Sequence, residues 1–323
     1  MHTVNQLQHG GIMANYQCPA ACRHCLYACS PDRSVRYISK STAEHVCELL
    51  LEGGCRSVHI GGGEPFIDFE GLLTLLHVIS QAGITVEYIE TNAFWAADDK
   101  KVKHYLHELK CTGANALCIS IDPFHAEYVS PKLPLKLAEI CRQTGFRNFL
   151  WQEKFVPLLS GIDKAYSRAK LERLLSPDYI LKTAQSYGLS VGGRAINIEE
   201  EYAAKEPAQT IIDSTPCRNL LSANHFHVDL HGKYIPPGCT GIALPLDEAI
   251  RGIPDGKYPV FEALLLNGTE GLLKYTESKG FVKNAKGYTS GCSLCFHIRH
   301  WLCEQTSSLE LDNEHYKESL NYY

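Results

Sequence analysis

The sequence predicts an α/β fold: a partial (β/α)6 barrel over residues 1–205, then a small cysteine-rich α+β domain over residues 206–323. Three observations carry this expectation. Between residues 11 and 195, short apolar runs alternate with longer helix-patterned stretches, an order that implies a parallel sheet with right-handed crossovers. The segments richest in glycine and polar residues follow the C-terminal ends of several different strands. A barrel collects chemistry there from many strands, whereas an open doubly wound sheet concentrates it at one switch point. From about Ile211 onward, periodicity gives way to cysteine, proline and glycine.

The units follow in order. Gly11–Asn15 is a short strand running into a cysteine loop. Ser41-Thr-Ala-Glu44 reads as a capping box opening a helix that stops at Gly53-Gly54. Ser57–Ile60 is a strand ending in Gly61-Gly62-Gly63, and Asp68 caps a helix running to Ala82. Ile84–Glu90 is the third strand, followed by a lysine-rich helix from Asp98. Ala116–Ile121 is the fourth strand, and its helix, with Pro134 in the first turn, stops at Gly145. A strand lies within Phe146–Phe155, Ser176-Pro177 opens a helix closed by Gly188, and Leu189–Val191 begins a sixth strand. Beyond it, His225–Leu230 is a candidate strand and Val260–Leu266 a candidate helix. This last part is poor in continuous apolar periodicity, so a bound metal would serve as its staple.

Composition narrows the function. A net charge of −5 gives no reason to expect a nucleic-acid surface. No apolar run approaches membrane-spanning length, and the N-terminus lacks a signal pattern, so a cytoplasmic protein without membrane contact is expected. Fourteen cysteines in such a chain point to metal binding or thiol chemistry rather than disulfides. Cys47, Cys55, Cys111, Cys118 and Cys141 stand alone in apolar or helical stretches and read as small buried hydrophobes.

Cys18-x3-Cys22-x2-Cys25 places three thiols within one turn-rich loop. On a four-iron cluster, three thiolates leave one iron open to a cofactor or substrate. The alternative is zinc, with Cys29 or His24 as fourth ligand, although zinc prefers two separated CxxC knuckles. The triple is followed by Gly62-Gly63-Glu64-Pro65 after the second strand, Glu90-Thr91-Asn92 after the third, and Ser120-Ile-Asp122 at the fourth. In this order the motifs resemble the radical S-adenosylmethionine superfamily over approximately residues 11–195. The chain departs from that pattern at the third cysteine, whose neighbours His24 and Leu26 stand where an aromatic residue is frequent.

The resemblance implies a [4Fe–4S] cluster on Cys18, Cys22 and Cys25 whose open iron chelates S-adenosylmethionine. Reductive cleavage then yields a 5′-deoxyadenosyl radical, fed by an external one-electron reductant such as flavodoxin or ferredoxin. The protein binds and orients the cofactor. Gly62 and Gly63 allow close backbone approach, and Glu64 offers a carboxylate to the methionyl ammonium. Asn92, Ser120 and Asp122 share the same face, the last two suited to the ribose hydroxyls or the methionine end. Arg194, in a Gly-Arg-Ala stretch that related enzymes often carry, would bind the cofactor carboxylate or serve the fold. His125 sits at the expected barrel mouth as a proton donor or acceptor, or as a loop histidine.

The C-terminal Cys217, Cys239, Cys292, Cys295 and Cys303 resemble the SPASM or twitch extensions that hold an auxiliary [4Fe–4S] cluster, with structural zinc as the alternative. Five candidates suit one four-cysteine cluster, and Cys303 is the expected spare. His225 and His227 share one strand face, which is expected to look to solvent. Taken together, the sequence is read as a radical enzyme that abstracts hydrogen from a ribosomally made peptide, to crosslink or oxidise it. A small-molecule substrate in cofactor or natural-product synthesis is the enzymatic alternative. A non-catalytic zinc or electron-transfer protein is the alternative of another class.

Overall fold

In the computed structural model, which describes residues 2–4 and 6–321, four strand–helix units and a fifth strand begin the chain. They are β1 (His9–Met13), α1 (Lys40–Glu52), β2 (Ser57–Gly61), α2 (Phe69–Gln81), β3 (Thr85–Thr91), α3 (Asp99–Cys111), β4 (Ala116–Ser120), α4 (Lys132–Thr144) and β5 (Arg147–Trp151). Short helices α5 (Val156–Leu159), α6 (Arg168–Leu174), α7 (Tyr179–Tyr187), α8 (Ala195–Tyr202) and α9 (Ala208–Ile211) follow. The remainder contributes β6 (Asn224–Val228), β7 (Lys233–Ile235), β8 (Leu244–Pro245), α10 (Leu246–Arg251), α11 (Pro259–Glu277), α12 (Gly291–Gln305) and α13 (Asn313–Asn321).

The eight strands among the described residues form one open sheet in the order β5-β4-β3-β2-β1-β6-β7-β8. The first six positions are parallel and the last two pairings antiparallel, giving a partial barrel rather than a closed one. Six parallel strands were expected, but the sixth is not Leu189–Val191. Those three residues are irregular chain between Gly188, the left-handed cap of α7, and the Gly192-Gly193 turn. Glycine breakers on both sides leave too short a run for a strand. The sixth parallel strand is β6, which pairs with β1 at the opposite side of the sheet and leaves β5 as an edge.

Local signals placed most element ends. Asp68 caps α2 by accepting from Gly71 N, and Asp98 caps α3 from Lys100 N. The start of α1 lies earlier than the capping box suggests: Ser39, with extended backbone, accepts from Thr42 N. Apolar faces of α1–α4 cover the sheet in one large core, to which β6 contributes Phe226 and Val228. A second core gathers around α11 and α12, with Ile242, Leu244, Phe261, Leu272 and Phe296 buried in it. Of the five isolated cysteines, four are buried, but Cys111 is exposed in the last turn of α3, whose outer face is polar. No helix among the described residues is long and apolar enough to cross a membrane.

Candidate active site

The loop after β1 carries Cys18 and Cys22 buried and Cys25 half-buried. Backbone bonds shape it: Cys18 N donates to Ser30 O (3.1 Å) and Cys25 N to Cys22 O (3.1 Å). The loop after β2 zips onto its approach. Gly63 N donates to Asn15 O (2.9 Å) and Glu64 N to Gln17 O (3.0 Å), while Asn15 Nδ2 donates to Glu64 O (3.1 Å). A Cβ on Gly63 would stand 2.1 Å from Gln17 O, so only glycine permits this approach.

Glu64 is fully buried and its carboxylate ties two loops together. It accepts from Thr91 Oγ1 (2.9 Å), Asn92 N (2.8 Å) and Phe66 N (3.2 Å). Burial nonetheless pushes its pKa up to about 7, against the pull of these donors. Asn92, fixed in this way, reaches Cys18 Sγ with its Nδ2 at 3.6 Å. Ser120 ends β4, and two residues on, the buried Asp122 accepts from Phe124 N, His125 N and His125 Nδ1 (2.7 Å). His24 Nε2 lies 3.9 Å from the same carboxylate, so His24, Asp122 and His125 form one close group. Burial disfavours a charged Asp122, but His125 and His24 prevail and hold its pKa below the usual carboxylate range. Burial likewise opposes charge on His125, yet Asp122 beside it raises its pKa above the ordinary imidazole value. His24, by contrast, is pushed down to about 4 by burial.

A cavity of about 680 Å³ collects these groups. Cys18, Cys22, Cys25, Gly62, Gly63, Glu64, Asn92, Ser120 and His125 all line it, and Asp122 sits directly behind His125. Arg194 does not line it. It is buried and donates through Nε to Cys22 O (3.0 Å) and through Nη2 to Cys29 O, gripping the cysteine loop by its backbone.

Sequence reasoning missed part of the wall. Tyr88, Cys118, Phe149 and Trp151 line the cavity, as do His225 and His227. Strand alternation is the signal that finds several of them. Tyr88 precedes Glu90, and Cys118 precedes Ser120, by the two residues that keep side chains on one face. The expectation of a solvent-facing histidine strand fails because β6 lies between β1 and β7, and His227 is buried. His225 is exposed and adopts a positive φ of 56° where the register with β1 shifts.

The donors suit an iron–sulfur centre: three thiols on one wall of a cavity large enough for a cofactor-sized molecule. Burial pushes the Cys18 and Cys22 thiols up, and the Cys29 thiol donating to Cys25 holds Cys25 down to about 5. At the far end of the chain, Cys217, Cys239, Cys292 and Cys295 lie close enough that ionising one opposes ionising another. The buried Arg299 guanidinium lies among them and donates to Thr240 O (3.0 Å). Burial pushes the Cys303 thiol up to about 12, with Arg299 pulling the other way and Asp312 and Glu304 adding to the rise.

No protein-family model matches the chain. Over 235 residues it is 32% identical to the Bacillus subtilis (strain 168) protein named "Putative peptide biosynthesis protein YydG", a match covering 71% of this chain and 68% of that protein. The chain belongs to the radical S-adenosylmethionine superfamily. Among solved structures, this enzyme is similar to native anSMEcpe with bound AdoMet and Cp18Cys peptide, at 13% identity and a TM-score of 0.46, over 98% of this chain and 96% of that one. It is also similar to Streptococcus suis SuiB bound to precursor peptide SuiA, at 16% identity and a TM-score of 0.39, over 90% and 76% of the two chains. BtrN in complex with AdoMet and 2-DOIA matches at 12% identity and a TM-score of 0.41, over 84% and 91%.

Proposed function

We propose that this radical S-adenosylmethionine enzyme abstracts a hydrogen atom from a ribosomally made peptide, to crosslink or oxidise a side chain. The observation that carries this reading is the convergence of Cys18, Cys22 and Cys25 with the Gly62–Glu64 loop, Asn92 and Ser120 on one cavity. The peptide as substrate is supported by the 32% identity to a protein named for peptide biosynthesis. Bound there, a [4Fe–4S] cluster and S-adenosylmethionine supply one-electron cleavage to a carbon-centred radical.

The chain's own residues prepare that cavity. The Glu64 clasp fixes the glycine loop against the cysteine loop, so backbone groups of Gly62 and Gly63 are held beside the thiols. Asp122 takes the Nδ1 proton side of His125, which leaves Nε2 as the nitrogen free to exchange a proton with a ligand. Arg194 acts as a positioning residue by holding the carbonyls of Cys22 and Cys29.

In this reading residues 1–205 form the radical-generating part and residues 206–323 carry an auxiliary [4Fe–4S] cluster on Cys217, Cys239, Cys292 and Cys295. A reductant such as flavodoxin or ferredoxin supplies the electron. The cytoplasm is the compartment that keeps fourteen free thiols reduced.

The test begins with anaerobically purified, chemically reduced enzyme and S-adenosylmethionine, following 5′-deoxyadenosine. Wild type forms it and Cys22→Ala does not; full turnover in the variant would overturn the cluster assignment. Adding short peptides encoded beside the gene is expected to yield a product that has lost two hydrogens. Formation of 5′-deoxyadenosine with every such peptide left unaltered would overturn the peptide reading alone.

A further inference from the structure

Three histidines that the radical chemistry above does not use cluster beside this cavity, and two of them, His225 and His227, line it. His59 on β2 and His227 on β6 are separated in the sheet by β1, and both are paired in register with Gly11. Histidines two strands apart meet because the residue between them has no side chain. His59 Nε2 and His227 Nε2 lie 3.0 Å apart over Gly11, where a Cβ would stand 2.3 Å from His59 Nε2 and 2.6 Å from His227 Cδ2. His225 completes a near-equilateral triangle. Ring centres are 4.9 Å apart for His59 and His227, 5.6 Å for His59 and His225, and 5.5 Å for His225 and His227.

We propose that His59, His225 and His227 form a binding site for a divalent transition-metal ion of the zinc class, separate from the iron–sulfur cysteines. Geometry supports it. A metal–nitrogen bond of ~2.1 Å, with ~1.1 Å more to the ring centre, puts three tetrahedral imidazoles with centres ~5.2 Å apart. The observed triangle brackets that value, and metal binding would require the rings to turn so that one nitrogen of each meets at a common centre. Imidazole is a favoured ligand for such ions.

Two further features belong to the same place. The Glu90 carboxylate lies 3.9 Å from His59 Nε2 and carries no hydrogen bond among the described residues. It is placed as a fourth ligand or as the acceptor for a metal-bound water. His225 occupies a left-handed backbone conformation at a register shift, a local distortion that re-aims a side chain. His225, His227 and Glu90 all line the cavity, so the site faces the space a substrate would enter. A donor atom of that substrate, such as a carbonyl oxygen or a thiolate, is the class of ligand an open metal position there would take.

The probe is Co²⁺ alone, added to the iron–sulfur-loaded protein after free metal has been removed. One additional equivalent is expected to bind, with visible ligand-field absorption and without the intense near-ultraviolet band of cobalt–thiolate bonding. His225→Ala, at an exposed position, is expected to weaken binding at least tenfold, and His227→Ala to abolish it. Gly11→Ala is expected to abolish it too, by forcing the pair apart. Iron content checks that each variant has folded. Absence of saturable binding, a cobalt–thiolate band, or unchanged affinity in both folded histidine variants would each overturn the proposal. None of these outcomes bears on 5′-deoxyadenosine formation, so this site and the function proposed above fail separately.

Discussion

Gly63 and Arg194 act on the same loop from two sides, and each makes a prediction. Alanine at position 63 puts its Cβ 2.1 Å from the Gln17 carbonyl, a backbone atom that cannot swing aside. Overpacking of this kind costs about 1–3 kcal/mol. Gly63→Ala is therefore expected to lower 5′-deoxyadenosine formation about tenfold or more, measured with the iron content beside it. Arg194→Ala leaves the Cys29 carbonyl without its charged donor, at about 1–3 kcal/mol, while the Cys22 carbonyl keeps the Cys25 N–H. The expected results are a lower urea midpoint and a lower iron content after anaerobic reconstitution. The cysteine triple and the glycine loop were legible in the sequence because each is contiguous. Arg194 was legible from its Gly-Arg-Ala stretch as a residue for the cofactor carboxylate or for the fold, but its actual partners were not. Its partners lie 165 and 172 residues away along the chain, and no local pattern announces them. The meeting of His59 with His227 was hidden for the same reason, since it depends on which strand flanks β1.

At the scale of elements, strand and helix order was readable from periodicity and caps, whereas pairing was not. Leu189–Val191 satisfied the expected alternation but lies between glycine turns, and β6 took the sixth parallel place on the other side of the sheet. The C-terminal elements carry two tests. Cys295→Ser is expected to reduce iron from about eight to about four per chain, and Cys303→Ser to leave it unchanged. Equal iron in both variants would count against the four-cysteine assignment. The second test concerns α11, whose first turn is held by a carboxylate from outside the helix. Glu310 is buried and accepts from Val260 N (3.0 Å) and Phe261 N (2.8 Å). Burial outweighs these donors and raises its pKa from 4.5 to about 7. Between those values the folded chain keeps a proton that the unfolded chain has lost, so stability falls as pH rises through this window. The group contributes on the order of 3 kcal/mol of slope between pH 4.5 and 7. Glu310→Gln is expected to flatten that part of the urea-midpoint profile relative to wild type. Parallel profiles for the two proteins would contradict the assignment.

At the scale of the whole molecule, the sheet joins the two ends of the chain. Four register pairs link β1 to β6: His9 with Asn224, Gly10 with Phe226, Gly11 with His227 and Ile12 with Val228. Phe226 and Val228 are fully buried, and they belong to the same core as the helices α1–α4. Leu230, Tyr234, Leu246 and Ala249 from the same C-terminal stretch join it as well. A fragment ending at residue 205 therefore loses more than an appendage. It exposes the β1 edge together with apolar surface that each missing Phe or Val side chain had covered, at about 1.5–3 kcal/mol apiece. An uncovered central strand is also a template for pairing with other chains. Residues 1–205 expressed alone are expected to elute as aggregates and to lack a cooperative urea transition, while the full chain is monodisperse and unfolds cooperatively. Size-exclusion chromatography and far-ultraviolet circular dichroism measure both. A monomeric, cooperatively folding fragment would mean that β6 only leans on a sheet already complete without it. Failure of the fragment would mean that β6 and the residues packed with it belong to the same folding unit as the cysteine loop after β1.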